Sequence, residues 1–94
     1  MTNGISAQKQ SFFLKDLKLR LKRFIGKNLH VEFECNGCCK RAIGGVLTIV
    51  GDDFIELTGT ITIVTLVPGF PHPIKKNATT ILIPLARVCS IELV

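Results

Sequence analysis

Four cysteines carry the densest reactive chemistry in this chain, with Cys35, Cys38 and Cys39 crowded into one short stretch and Cys89 far downstream. Thiols in such a pattern can ligate a metal, cycle as a redox pair or crosslink, with buried or idle thiols as the plain alternative. Cys35-Asn36-Gly37-Cys38 has the turn spacing of a zinc knuckle, and Cys39, Cys89, His30 or His72 could complete a tetrahedral set. Adjacent strand residues point to opposite faces, however, so Cys38 and Cys39 are not expected to join one site. A redox C-x-x-C normally opens a helix, where the dipole activates the thiol, and here it spans a hairpin. The expectation is therefore crosslinking within or between subunits through Cys35, Cys38, Cys39 and Cys89, with metal binding and inert thiols as the alternatives. No catalytic, metal or cofactor site is assigned.

The other reactive side chains are weaker candidates. Asp52-Asp53 beside Gly51 reads as a pair of turn formers rather than an acid–base couple. His72 lies between prolines in a loop, and His30 falls on the polar face of a strand. There is no glycine-rich phosphate loop and no Ser/His/Asp order worth weighing, so the expectation is a protein that is not an enzyme.

The 94 residues make one domain, and 47% of them are apolar, enough for a small core. The mean hydropathy of +0.40 is high for a short chain. The run Ile61 to Phe70, broken by Thr62, Thr65, Pro68 and Gly69, is far short of the roughly 20 residues of a spanning helix. No membrane association is expected, and an interface between subunits is the natural place for the surplus apolar surface. Residues 1–10 lack the basic stretch, apolar core and cleavage site of a secretory signal, which implies synthesis in the cytoplasm without export by that route. The net charge of +5 permits nucleic acid, anionic lipid or acidic protein as a partner without choosing among them.

Residues 1–10 read as a flexible arm and 11–94 as the folded domain. A helix is expected over 11–25: Leu14, Leu17, Leu21 and Phe24 recur at helical steps, Ser11 can cap the start and Gly26 can end it. Leu17 to Lys22 also alternates as a strand would, but the segment is rich in helix formers and free of β-branched residues until Ile25. Lys15, Lys18 and Lys22 then share the opposite face and, with Lys75 and Lys76, form the candidate basic contact surface.

From Leu29 the period changes to two. Leu29, Val31, Phe33 and Cys35 alternate with His30, Glu32 and Glu34, and Asn36-Gly37 supplies a type I′ hairpin turn. The return strand runs Cys38 to Val50, with Gly44-Gly45 marking a sharp bend. Gly51-Asp52 turns the chain into a third strand, Phe54 to about Val67, ended by Pro68. The segment to Asn77 is expected as a loop exposing Lys75 and Lys76. Thr79 to Ile83 makes a fourth strand, Pro84-Leu85-Ala86 a corner and Arg87 to Val94 a fifth.

This order of elements, from a basic amphipathic segment through a bent glycine-containing second strand to a short corner before the last strand, resembles the Sm-like small β-barrel family over roughly Phe24 to Val94. The nearest pattern is that of short Sm-like proteins of spore-forming Firmicutes. The resemblance implies a mainly β fold, a five-stranded, strongly bent antiparallel barrel with an N-terminal α-helix. It also implies copies joined edge to edge. In RNA-binding members the third strand presents an Asn in the loop where bases stack, and the fourth ends in Arg-Gly or, in bacterial RNA chaperones, a Tyr-Lys-His stretch. Here those slots hold Phe54-Ile55 and Ile83-Pro84-Leu85, which offer nothing to grip a base edge or a phosphate.

The expected function is accordingly a self-assembling structural protein, a spore coat or spore-surface component forming rings, fibres or layers, with other spore-surface proteins as further partners. The alternative is a ring-forming RNA-binding protein that uses its basic helix. Ile61 to Val67 and Thr80 to Ile83 are the expected edge segments, and binding to nucleic acid is expected to be absent or non-specific.

Overall fold

The computed structural model describes residues 16–94. The expected arm at 1–10 and the helix start with Ser11, Leu14 and Lys15 lie outside the described residues. Helix α1 occupies 16–22, shorter at its end than the 11–25 expected. Its last turn tightens instead of continuing, with Arg23 N donating to Arg20 O at 3.1 Å and Phe24 N to Leu21 O at 2.8 Å. Gly26 then takes φ +89°, the left-handed conformation expected of it. The following backbone docks directly on a strand, Gly26 N donating to Leu47 O at 2.8 Å and Leu47 N to Lys27 O at 3.0 Å. The apolar stripe thereby faces inward: Leu21 is buried and Leu17 and Phe24 pack against the core.

Five antiparallel strands follow: β1 (Asn28–Cys35), β2 (Cys38–Val50), β3 (Phe54–Leu66), β4 (Ile74–Pro84) and β5 (Val88–Leu93). They form one sheet in the order β4-β3-β2-β1-β5. Asn36 at φ 54° and Gly37 at φ 76° supply the two positive angles that a type I′ turn requires, so β1 and β2 pair from Cys35 opposite Cys38 onward. Between β3 and β4, Phe70 N donates to Val67 O at 3.1 Å across Pro68 and Gly69, with Gly69 at φ +88°. Pro followed by a positive-φ Gly is the chemistry of a type II turn.

A fold line crosses the sheet at its middle. The register shifts between Leu29 and Val31 in β1, between Ile43 and Val46 in β2 and between Thr58 and Ile61 in β3. Gly44 (φ +91°) and Gly59 (φ +117°) sit at that line in conformations that side-chain-bearing residues rarely adopt. The bend at Gly44-Gly45 is therefore as expected, and β3 contributes a matching one. Bending wraps one face of the sheet around Leu29, Leu47, Ile55, Leu57, Ile61 and Ile83, all fully buried, and α1 covers them through Leu21. Each such side chain contributes about 1.5–3 kcal/mol of burial.

Three expectations are corrected. The sheet is not closed into a barrel: β4 and β5 stand at its two edges with no ladder between them. Closure would need those strands to pair with each other. Instead a 3₁₀ turn, Leu85–Arg87, sends β4 back along β3 and β5 out along β1, so the two share only a corner. Secondly, the segment holding Lys75 and Lys76 is strand rather than loop, paired Val64 with Lys75 and Ile63 with Lys76. Thirdly, Ile61 to Leu66 belongs to β3, an interior strand hydrogen-bonded on both sides, and is no edge.

Candidate functional site

The thiols divide by position. Cys35 and Cys38 are cross-strand partners flanking the two-residue turn, and both are half-buried. Cys39, one step on, is exposed and pairs with Glu34 on one side and Leu66 on the other. Cys89 is exposed on the edge strand β5, where its Sγ lies 3.8 Å from the carbonyl oxygen of Arg87. All four are free thiols, and no group of three or more His, Cys, Asp or Glu among the described residues is placed to hold a metal. The two exposed thiols, Cys39 and Cys89, are the ones open to another molecule. Oxidised protein is expected to run as a ladder on non-reducing gels and to collapse to single chains with reductant. Cys39→Ser or Cys89→Ser should remove the ladder while Cys35→Ser and Cys38→Ser leave it. Each crosslink constrains the unfolded chain by roughly 2–4 kcal/mol in favourable geometry. A ladder that persists in the Cys39→Ser/Cys89→Ser double variant would show that the half-buried pair crosslinks instead.

The basic residues do not form one surface. Lys15 lies outside the described residues, and Lys18 is committed to Asp52 at 3.2 Å, fastening α1 to the β2–β3 turn. Lys22 is exposed on α1, while Lys75 and Lys76 are exposed at successive positions of β4 and so project to opposite sides of the sheet. Asp52 and Asp53 occupy the tip of that turn, closed by Gly51 N donating to Phe54 O at 2.8 Å.

The two slots that hold RNA in Sm-like proteins do come together. Phe54 pairs with Pro84 and Ile55 with Ile83, and Leu85 N donates to Asp53 O at 2.8 Å. Of the side chains filling them, Ile55 and Ile83 are fully buried and Leu85 is 3% exposed, while Phe54 is half-buried and Pro84 exposed. The corner thus presents no hydrogen-bonding side chain from these positions to a base.

Two polar arrangements escaped the sequence reading. Arg41 on β2 reaches Glu32 on β1 at 3.7 Å and Glu92 on β5 at 3.1 Å, spanning three strands on the face opposite the core. Thr48 is the extra residue where the β2–β3 register slips, and its hydroxyl donates to the Glu56 carboxylate at 2.8 Å. Neither is a reactive site. The Arg41 pairs are half-exposed and worth about 0–1 kcal/mol each.

Among the described residues the two edge strands, β4 and β5, each have a ladder on one side only. β4 presents its outer row of backbone groups along eleven residues. Leu82 and Ile74 on that strand are 59% and 51% exposed, and Leu93 on β5 is 55% exposed. Among the described residues no helix is long and apolar enough to cross a membrane. No family model, curated protein or solved structure matches the chain.

Proposed function

We propose that the chain is a self-assembling structural protein of Sm-like architecture, a spore coat or spore-surface component whose copies join through sheet edges into rings, fibres or layers. The observation that carries this reading is the open sheet, whose edge strands β4 and β5 each have a ladder on one side only among the described residues and expose large apolar side chains. An edge strand is a template for another chain; on β4 the charges that blunt such edges are confined to Lys75 and Lys76, leaving Ala78 to Pro84 uncharged, and on β5 the one charge is Glu92. Pairing β4 of one copy with β5 of the next is a head-to-tail contact. Such a contact closes into a ring or runs on as a fibre according to the rotation it imposes.

The spore assignment comes from the resemblance to short Sm-like proteins of Firmicutes, and other spore-surface proteins are the further partners it implies. Light scattering on purified protein tests the assembly, and negative-stain imaging distinguishes rings, fibres and layers. A stable single-chain species at micromolar concentration would end this reading.

RNA binding is expected to be weak, indifferent to sequence and steeply salt-dependent. Only lysine and arginine are available, and each neutralised phosphate releases counterions. A fluorescent oligonucleotide titrated at low and near-physiological salt checks this. Tight binding that survives salt and prefers one sequence would favour the ring-forming RNA-binding alternative.

A further inference from the structure

We propose that Cys35 and Cys38 form a two-thiolate site for a soft, low-coordinate cation, Cu(I). The two residues close a two-residue turn whose φ angles, 54° at Asn36 and 76° at Gly37, fix them directly opposite each other. The pair flanking such a turn is of the hydrogen-bonded kind, with Cα atoms about 5.5 Å apart. A Cα separation of about 5.5 Å is common in disulfides, so the backbone admits a direct bond as well as an ion held at about 2.3 Å from each sulfur, and both thiols are free in this structure.

The ligand count selects the ion. Zinc takes four tetrahedral ligands, and no third His, Cys, Asp or Glu stands with this pair among the described residues. Cys39, the nearest further thiol in sequence, is the exposed neighbour on the other face. Cu(I) is soft, prefers thiolates and is satisfied by two of them. On binding, both S–H groups release their protons to solvent and two S–Cu bonds form, with no change of oxidation state. The bound group carries one net negative charge.

The surroundings suit that charge. Cys35 lines a cleft of about 180 Å³ with Phe33, Leu82, Pro84 and Arg87, and Glu34 and Asn36 also border it. Arg87 takes part in no ion pair among the described residues, so its guanidinium is available to an anionic copper–dithiolate at the cleft wall. Both cysteines are half-buried, and Cys35 has apolar neighbours in the cleft. Both ligands come from one chain, and Leu82 at the cleft wall also lies on the β4 edge proposed for assembly.

The test uses reduced, full-length protein under anaerobic conditions, loaded with Cu(I) and challenged with the chromophoric chelator bicinchoninate. One chelator-resistant Cu(I) per chain is expected. In the same unmutated protein, copper should protect Cys35 and Cys38 from iodoacetamide while Cys39 and Cys89 are alkylated, as read by mass spectrometry. Cys35→Ser and Cys38→Ser should each weaken binding by at least about 100-fold, and Cys39→Ser and Cys89→Ser should leave it unchanged. Copper lost to the chelator, protection at Cys39 or Cys89, or full binding by Cys35→Ser and Cys38→Ser would each overturn the assignment. So would Zn(II) held more tightly than Cu(I) through Cys39.

Discussion

Replacing Leu82 with lysine is expected to weaken assembly by about 10-fold or more while leaving the thermal stability of the single chain nearly unchanged. Leu82 lies on the edge strand β4 and is 59% exposed, so it adds little to its own core. In an edge-to-edge contact the same side chain would be covered by the neighbouring copy. Burying a leucine contributes about 1.5–3 kcal/mol, and each 1.4 kcal/mol is tenfold in association. Lysine removes that term and adds a charge that must be stripped of water. Sedimentation velocity over a concentration series checks the first half of the expectation, and a melt at the lowest concentration the second. Lys22→Glu, exposed on α1 and on neither edge strand, is the control and should assemble as the parent does. If Leu82→Lys assembles with parental affinity, the β4 edge is not the contact. If the parent itself sediments as one chain, the assembly reading fails as a whole.

What could be read from the sequence was set by where residues answer to one local constraint. Asn36-Gly37 admits few backbone conformations, and the strand limits on its two sides, Cys35 and Cys38, followed directly. Gly44-Gly45 announced its bend for the same reason. The first part of β4, Ile74 to Asn77, reads as loop because alternation is a signal of burial, and an edge strand exposed on both faces gives none. The run Ile61 to Leu66 misled in the opposite sense, since a thread of threonines and isoleucines suits an edge as well as a sheet interior.

Closure depends on whether β4 and β5 meet, a property of the whole curl of the sheet that no single residue reports. Arg41 with Glu32 and Glu92, and Lys18 with Asp52, required the register and the helix docking first. The thiols were legible as a cluster, and the separation of Cys38 from Cys39 was expected from the strand period. That Cys35 and Cys38 would instead be each other's partners follows from the turn, and the same Asn36-Gly37 signal contained it.

The fold line across the sheet makes Gly45 a position where a small chemical change presses directly on the core. A Cβ at Gly45 would stand 2.9 Å from Leu57 Cβ, 3.2 Å from Leu57 Cδ1 and 3.3 Å from Ile61 Cγ1. Leu57 and Ile61 are fully buried, so neither can swing into solvent, and the nearest atom is a Cβ fixed to its own backbone. Overpacking a core costs about 1–3 kcal/mol, and Gly45→Val should exceed Gly45→Ala because its methyls meet the same two side chains. Gly59→Ala separates packing from backbone strain: its φ of +117° penalises any side chain, yet nothing lies within 4 Å of the added carbon. It should cost only the conformational term, about 1–3 kcal/mol. Leu57→Ala, which empties the same place instead of crowding it, is expected to cost about 2–5 kcal/mol. Against a total of roughly 5–15 kcal/mol for a domain, Gly45→Val and Leu57→Ala should each shift the urea midpoint plainly. Because assembly adds stability by mass action, all variants are to be unfolded at one protein concentration. The expected order of stability is parent, then Gly45→Ala, then Gly45→Val. Parental stability in Gly45→Val would mean that β2 does not press against Leu57 and Ile61 at the bend. The packing that lets one open sheet enclose a core would then have to lie elsewhere.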